Sequence, residues 1–125
     1  MRSELKDDFS NAARLIDKKD FLAAKEKLLH LAALDPTSVA ILCTLGYVYW
    51  QMGWLPEAVD SFKHAIALAP TLEAVSLGLF HCLWQLDERE EALEEIKRFQ
   101  SIADSSDYRE IVKEINEGSD SKTDL

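Results

Sequence analysis

The sequence is poor in every feature that marks a membrane-spanning, disulfide-bonded or phosphate-binding chain. No apolar run approaches the roughly 18 residues that cross a bilayer. The start, Met1-Arg2-Ser3-Glu4-Leu5-Lys6-Asp7-Asp8, carries charge where a secretory signal needs an apolar segment. The expected location is therefore cytoplasmic, with no membrane partner. The only two cysteines, Cys43 and Cys82, fall within apolar helical pattern, so they are expected to be reduced. Four scattered glycines supply no glycine-rich phosphate loop. His30, His64 and His81 form no H-x-x-x-H or H-E-x-x-H pair, and His81 and Cys82 would diverge by about 100° on a helix. No catalytic, metal or cofactor site is expected, and the chain does not read as an enzyme.

Positive charge is also scarce. Lys and Arg number 14 against 23 Asp and Glu, for a net charge of −9. Such a field repels phosphate backbones and excludes nucleic acid as the expected partner, while it would steer in a basic protein. The imbalance is local: residues 1–36 carry seven basic and seven acidic side chains, residues 71–104 three and eight. Glu88, Glu90, Glu91, Glu94 and Glu95 account for most of that excess. They read either as a solvated helix face or as the surface by which an inhibitor or immunity protein would cover a basic toxin or nuclease.

What the sequence does contain is a period. Pro36 and Pro70 lie 34 residues apart, and between them stand Leu42-x2-Leu45-Gly46-x2-Tyr49 and Ala58-x3-Phe62. A shift of 34 superposes Ala24, Ala58 and Ala92, Leu45 on Leu79, Trp50 on Trp84, Gln51 on Gln85, and Glu57 on Glu91. Over residues 5 to 104 the sequence resembles the tetratricopeptide repeat family, with Leu42 in place of the usual Trp. That resemblance implies an all-α, right-handed superhelical array of three helix-turn-helix hairpins with a C-terminal capping helix. It would form a single domain over residues 1–117, with repeats at about 5–36, 37–70 and 71–104, a cap at about 106–117 and a disordered polar tail at 118–125.

Local signals agree with this plan. Apolar residues recur at helical spacing on both sides of Lys18-Lys19-Asp20, and Asp20 is placed to cap the second helix. Thr37 or Ser38 can cap a helix from about Val39 to Met52, in which Gly46 lets the paired helix approach. Gly53 permits the turn, and Pro56 sits in the first turn of a helix from about Leu55 to Ala69. The third hairpin is expected at about 72–86 and 88–103, with Asp87 and Glu90 as a capping-box-like start. Ser106 would cap the last helix, whose stripe of Tyr108, Ile111, Val112 and Ile115 would cover Leu93, Ile96 and Phe99.

In the family, the first helix of each hairpin lines the concave surface. The corresponding residues are Phe9, Ala13 and Ile16, then Cys43, Tyr47, Trp50 and Gln51, then Leu77, His81, Trp84 and Gln85. The resemblance implies an apolar groove that binds a protein or peptide partner. The alternative is that Trp50 and Trp84 pack between hairpins or that the cap helix folds over them. Members that grip a chaperone tail by its C-terminal carboxylate use Lys, Asn and Arg at positions occupied here by Phe9, Ala13, Thr44, Ala74 and Gly78, so carboxylate-clamp docking is not expected. The leading expectation is a small chaperone or adaptor, similar in size and acidity to bacterial secretion chaperones of this repeat class, and the alternative is the acidic inhibitor or immunity protein.

Overall fold

The computed structural model describes the backbone of residues 1–122 and the side chains of residues 1–118. A short 3-10 turn at Ser3–Leu5 leads into seven α-helices: α1 (Lys6–Asp17), α2 (Phe21–Leu34), α3 (Val39–Gln51), α4 (Leu55–Leu68), α5 (Glu73–Gln85), α6 (Arg89–Gln100) and α7 (Ser106–Lys122). No strand occurs among the described residues. From α1 to α6 each helix packs on the next in sequence, and α3 also reaches α5.

The 34-residue period is a burial period. Ala24, Ala58 and Ala92 on α2, α4 and α6 are each 0 % exposed. Leu28, Phe62 and Ile96, and then Leu31, Ala65 and Phe99, are buried at the next two positions of the same helix face. Alanine at the first position lets the two helices of a hairpin close together, and the larger residues fill the space beyond it.

The turns inside the hairpins repeat just as closely. Lys19, Gly53 and Asp87 have φ of 62°, 77° and 64°. In each case the next amide bonds back to the end of the first helix: Asp20 N to Leu15 O, Trp54 N to Tyr49 O and Glu88 N to Leu83 O, all at 2.9 Å. This is the left-handed helix end that normally selects glycine. It corrects the expected role of Asp87, which does not cap α6. The turn requires a left-handed residue there, Asp tolerates that conformation better than most, and its carboxylate accepts instead from Arg89 Nε at 2.9 Å. Glu88 holds the cap position with no side-chain bond.

Other caps are made by serine and aspartate. Asp20 accepts from Ala23 N at 3.3 Å and Ser38 from Ile41 N at 3.4 Å. At α7 the cap is Ser105, accepting from Tyr108 N at 3.0 Å, one residue earlier than the expected Ser106. α6 ends at Gln100 rather than 103, where Ser101 Oγ turns back to Arg98 O at 2.6 Å. α7 passes through Gly118 to Lys122, since one glycine costs a helix only about 1 kcal/mol. The rest of the expected tail, 123–125, lies outside the described residues.

Hairpins two and three are joined by one ring. A Cβ added at Gly46 would stand 2.9 Å from Phe62 Cε1, and one added at Gly78 would stand 2.7 Å from Phe62 Cζ. Phe62, 2 % exposed on α4, is thus held between α3 and α5 at contact distances only glycine allows. In the third hairpin the sizes are exchanged. Phe80 stands 34 residues after Gly46, and Ile96 stands 34 after Phe62.

Two stability measurements follow. Lys19→Gly should raise the urea unfolding free energy by about 1 kcal/mol, because glycine enters the left-handed region without steric cost, whereas Gly53→Ala should lower it by a similar amount. Gly78→Ala should cost about 1–3 kcal/mol from overpacking. Combining it with Phe62→Leu should cost less than the sum of the two single changes, and strict additivity would show that the ring is not wedged there.

Candidate partner-binding site

Helix periodicity sets one row of α1, α3 and α5 apart from the core. On α3, Ile41, Leu42, Leu45 and Val48 are buried, while Cys43 and Trp50 are half-buried and Tyr47 and Gln51 exposed. On α5 the same division leaves Leu77, His81 and Trp84 half-buried and Gln85 exposed; on α1 it leaves Phe9 and Ile16 half-buried and Ala13 exposed.

The α3 and α5 rows are joined side by side. Trp50 stacks on His81 with ring centroids 5.8 Å apart and 18° between planes, and its Nε1–H donates to Gln85 Oε1 at 3.2 Å. Its edge also meets Phe62 at 6.5 Å. Trp84 stacks on Phe80 at 5.6 Å, and the Arg89 guanidinium lies 4.8 Å over its ring. Both indoles are half-buried, each stacked on a neighbouring ring. Tyr47, 41 % exposed, is the least committed aromatic of the row. Phe9 and Ile16 rest on a different cluster, formed with α2 and α3, from the one that supports Cys43, Trp50, Leu77 and Trp84.

The titratable groups here are not poised for chemistry. Burial lowers the His81 pKa and favours neutral imidazole, raises the Cys43 thiol, and pushes Cys82 up to about 11. His81 is half-buried and Cys82 fully buried. Among the described residues, no three His, Cys, Asp or Glu side chains are grouped to hold a metal ion. At the positions of the carboxylate clamp, Thr44 Oγ1 donates to Ala40 O at 2.7 Å and Gly78 lies against Phe62.

Glu88 and the four glutamates of α6 do not form one surface. Glu88, Glu90 and Glu94 are exposed, while Glu91 meets Lys63 Nζ at 2.5 Å. Glu95 is 7 % exposed and must be withdrawn from the acidic face. Its two oxygens accept from Arg98 Nε at 2.8 Å and Nη2 at 2.7 Å, and Oε2 also accepts from the Ser76 hydroxyl at 2.5 Å. The lining of a cavity of about 380 Å³ between α4, α5 and α6 includes the Lys63–Glu91 and Glu95–Arg98 pairs, which close on each other.

Ser76, Glu95, Arg98 and Tyr108 form the feature that sequence reasoning missed. With the Ser76 proton given to Glu95, the Tyr108 hydroxyl, 2.6 Å away, donates to Ser76 Oγ. Arg98 Nη1 completes the chain at Pro70 O, 3.0 Å away. One network thus ties the α4–α5 turn, α5, α6 and α7 together. Tyr108 is 0 % exposed and packs on Phe80 and Phe99 at 5.9 and 5.7 Å. Ile96 and Phe99 are buried, but Leu93, expected beneath the cap, is 36 % exposed. The available signal was Ser76 itself, a polar residue 34 positions after the buried Leu42.

Residues 39–72 match the tetratricopeptide repeat model. The type III secretion translocator chaperone SycD of Yersinia enterocolitica superposes with a TM-score of 0.82 at 21% identity, over 100% of this chain and 90% of its own. SycD in complex with a peptide of the translocator YopD gives 0.78 at 19% identity, over 94% and 90%. A point mutant of MamA gives 0.74 at 23% identity, over 83% and 76%. At these identities the likeness is one of fold. No curated protein matches the chain.

Burial raises the Tyr108 pKa from 10 to about 12. A group whose folded pKa is raised contributes stability that is complete below its unfolded value and is lost as pH rises through the folded one. Raising the pH from 10 toward 12 should therefore lower the thermal midpoint of the native chain more than that of Tyr108→Phe. Parallel curves would mean that Tyr108 does not sense its buried site.

Proposed function

We propose that this protein is a non-catalytic binding module, a small chaperone or adaptor that holds a segment of a protein partner along the row formed by α1, α3 and α5. One observation carries the reading. Equivalent positions of successive helices present aromatic and apolar side chains that are neither sealed in the core nor free in solvent, with Tyr47 41 % exposed beside the Trp50–His81 stack. A contiguous surface of that kind, with indoles already fixed by hydrogen bonding and stacking, gives up apolar area on binding and loses little side-chain entropy. The fold-level likeness to SycD, one structure of which is in complex with a peptide of YopD, supports a peptide as occupant.

The acidic-inhibitor alternative now rests on Glu88, Glu90 and Glu94 alone, because Glu91 and Glu95 are paired within the fold. Two sets of variants separate the readings, using peptides selected from a random library on the full chain. Tyr47→Ala should weaken binding by roughly 2 kcal/mol, as central interface aromatics do, and leave the helical melt in place because the ring is largely exposed. Charge reversal of Glu88, Glu90 and Glu94 to Lys should leave that binding intact. The opposite pattern, with binding lost on charge reversal and kept in Tyr47→Ala, would overturn the groove reading and support the inhibitor.

A further inference from the structure

The last helix continues the array in phase, and its faces are sorted by chemistry. α7 occupies the place of a first helix in a fourth repeat. The helix starts show this: Ser38 precedes α3, Leu72 precedes α5 and Ser105 precedes α7, steps of 34 and 33 residues. With that 33-residue step, the buried positions Ile41, Leu45 and Val48 of α3, and Val75, Leu79 and Cys82 of α5, fall on Tyr108, Val112 and Ile115, which are buried or half-buried in turn. The positions that would face a following helix, Leu42, Gly46 and Tyr49 on α3, fall on Arg109, Lys113 and Asn116, all exposed. α7 therefore presents polar groups at the positions where the earlier first helices pack on their partners.

The third face is the informative one. Cys43 and Leu77 fall on Glu110, Tyr47 and His81 on Glu114, and Trp50 and Trp84 on Glu117. The row that is apolar and aromatic across α3 and α5 becomes three exposed glutamates on α7. None of the three takes part in an ion pair among the described residues; Arg109 pairs with Asp104 instead. Glu110 and Glu114, and Glu114 and Glu117, are like charges four and three residues apart, a spacing that disfavours a helix.

We propose that the partner segment is amphipathic along its length, with apolar side chains over α1, α3 and α5 and one or more Lys or Arg side chains where it crosses α7, paired with Glu110, Glu114 and Glu117. This deepens the groove reading and rests on it. Apolar contact on the aromatic rows supplies affinity, while the acidic row fixes the direction in which the segment lies, since a reversed segment would leave its cations over Trp50 and the glutamates unpaired.

The same library selection on the full chain tests it. Bound peptides should carry Lys or Arg at one end of an apolar block, and their affinity should fall about tenfold in the combined Glu110→Gln, Glu114→Gln, Glu117→Gln variant, as two or three exposed ion pairs predict. High salt should produce a similar loss in the native chain and little in the variant. Glu88→Gln, Glu90→Gln, Glu94→Gln serves as the control and should bind as the native chain does. Peptides that depend on Tyr47 yet show neither basic ends nor sensitivity to the three α7 glutamates would overturn this inference and leave the groove standing. Peptides indifferent to Tyr47 as well would overturn both.

Discussion

The contact on which the array depends is a single ring held by two absent side chains. Phe62 reaches across from α4 to Gly46 in its own hairpin and Gly78 in the next, with less than 3 Å available to a Cβ at either. In a linear repeat protein each unit is stabilised by its neighbours as much as by itself, and Phe62 contributes to both terms for the second and third hairpins. Because the ring fixes α3 against α5, it also fixes Trp50, whose edge it meets, over His81 and beside Gln85. The surface row is thus set from below by the core.

Much of this was legible in the sequence because the burial period and the sequence period coincide. Ala24, Ala58 and Ala92 lie 34 apart and are all fully buried, so shifting the sequence on itself identifies the helix-closing positions directly. Turns were less legible. Gly53 announces a left-handed residue, but Lys19 and Asp87 adopt the same conformation without being glycine, and Asp87 reads more naturally as a cap. The turn is imposed by the helices it joins, which override local preference.

The polar network was illegible for a different reason. Glu95 belongs by pattern to a run of surface glutamates, and only the three-dimensional meeting of Ser76, Arg98 and Tyr108 draws it inward. Buried carboxylates need such partners, and the partners come from three separate helices. The groove row was readable in membership but not in exposure. Spacing placed Trp50 and Trp84 on one face, yet which side of each ring is occupied depends on His81, Gln85, Phe80 and Arg89.

The core is divided. One buried cluster gathers Leu5, Ala12, Leu28 and Leu31 with Ile41, Leu45 and Val48, a second runs from Leu42 to Tyr108, and Tyr49 packs against both. α3 is therefore a seam, with its two sides belonging to different units. A cut between α2 and α3 would thus divide the first buried cluster and leave the second whole. Phe9 and Ile16 rest on the first cluster and Trp50 on the second, so the row that crosses α1, α3 and α5 is supported from beneath by both.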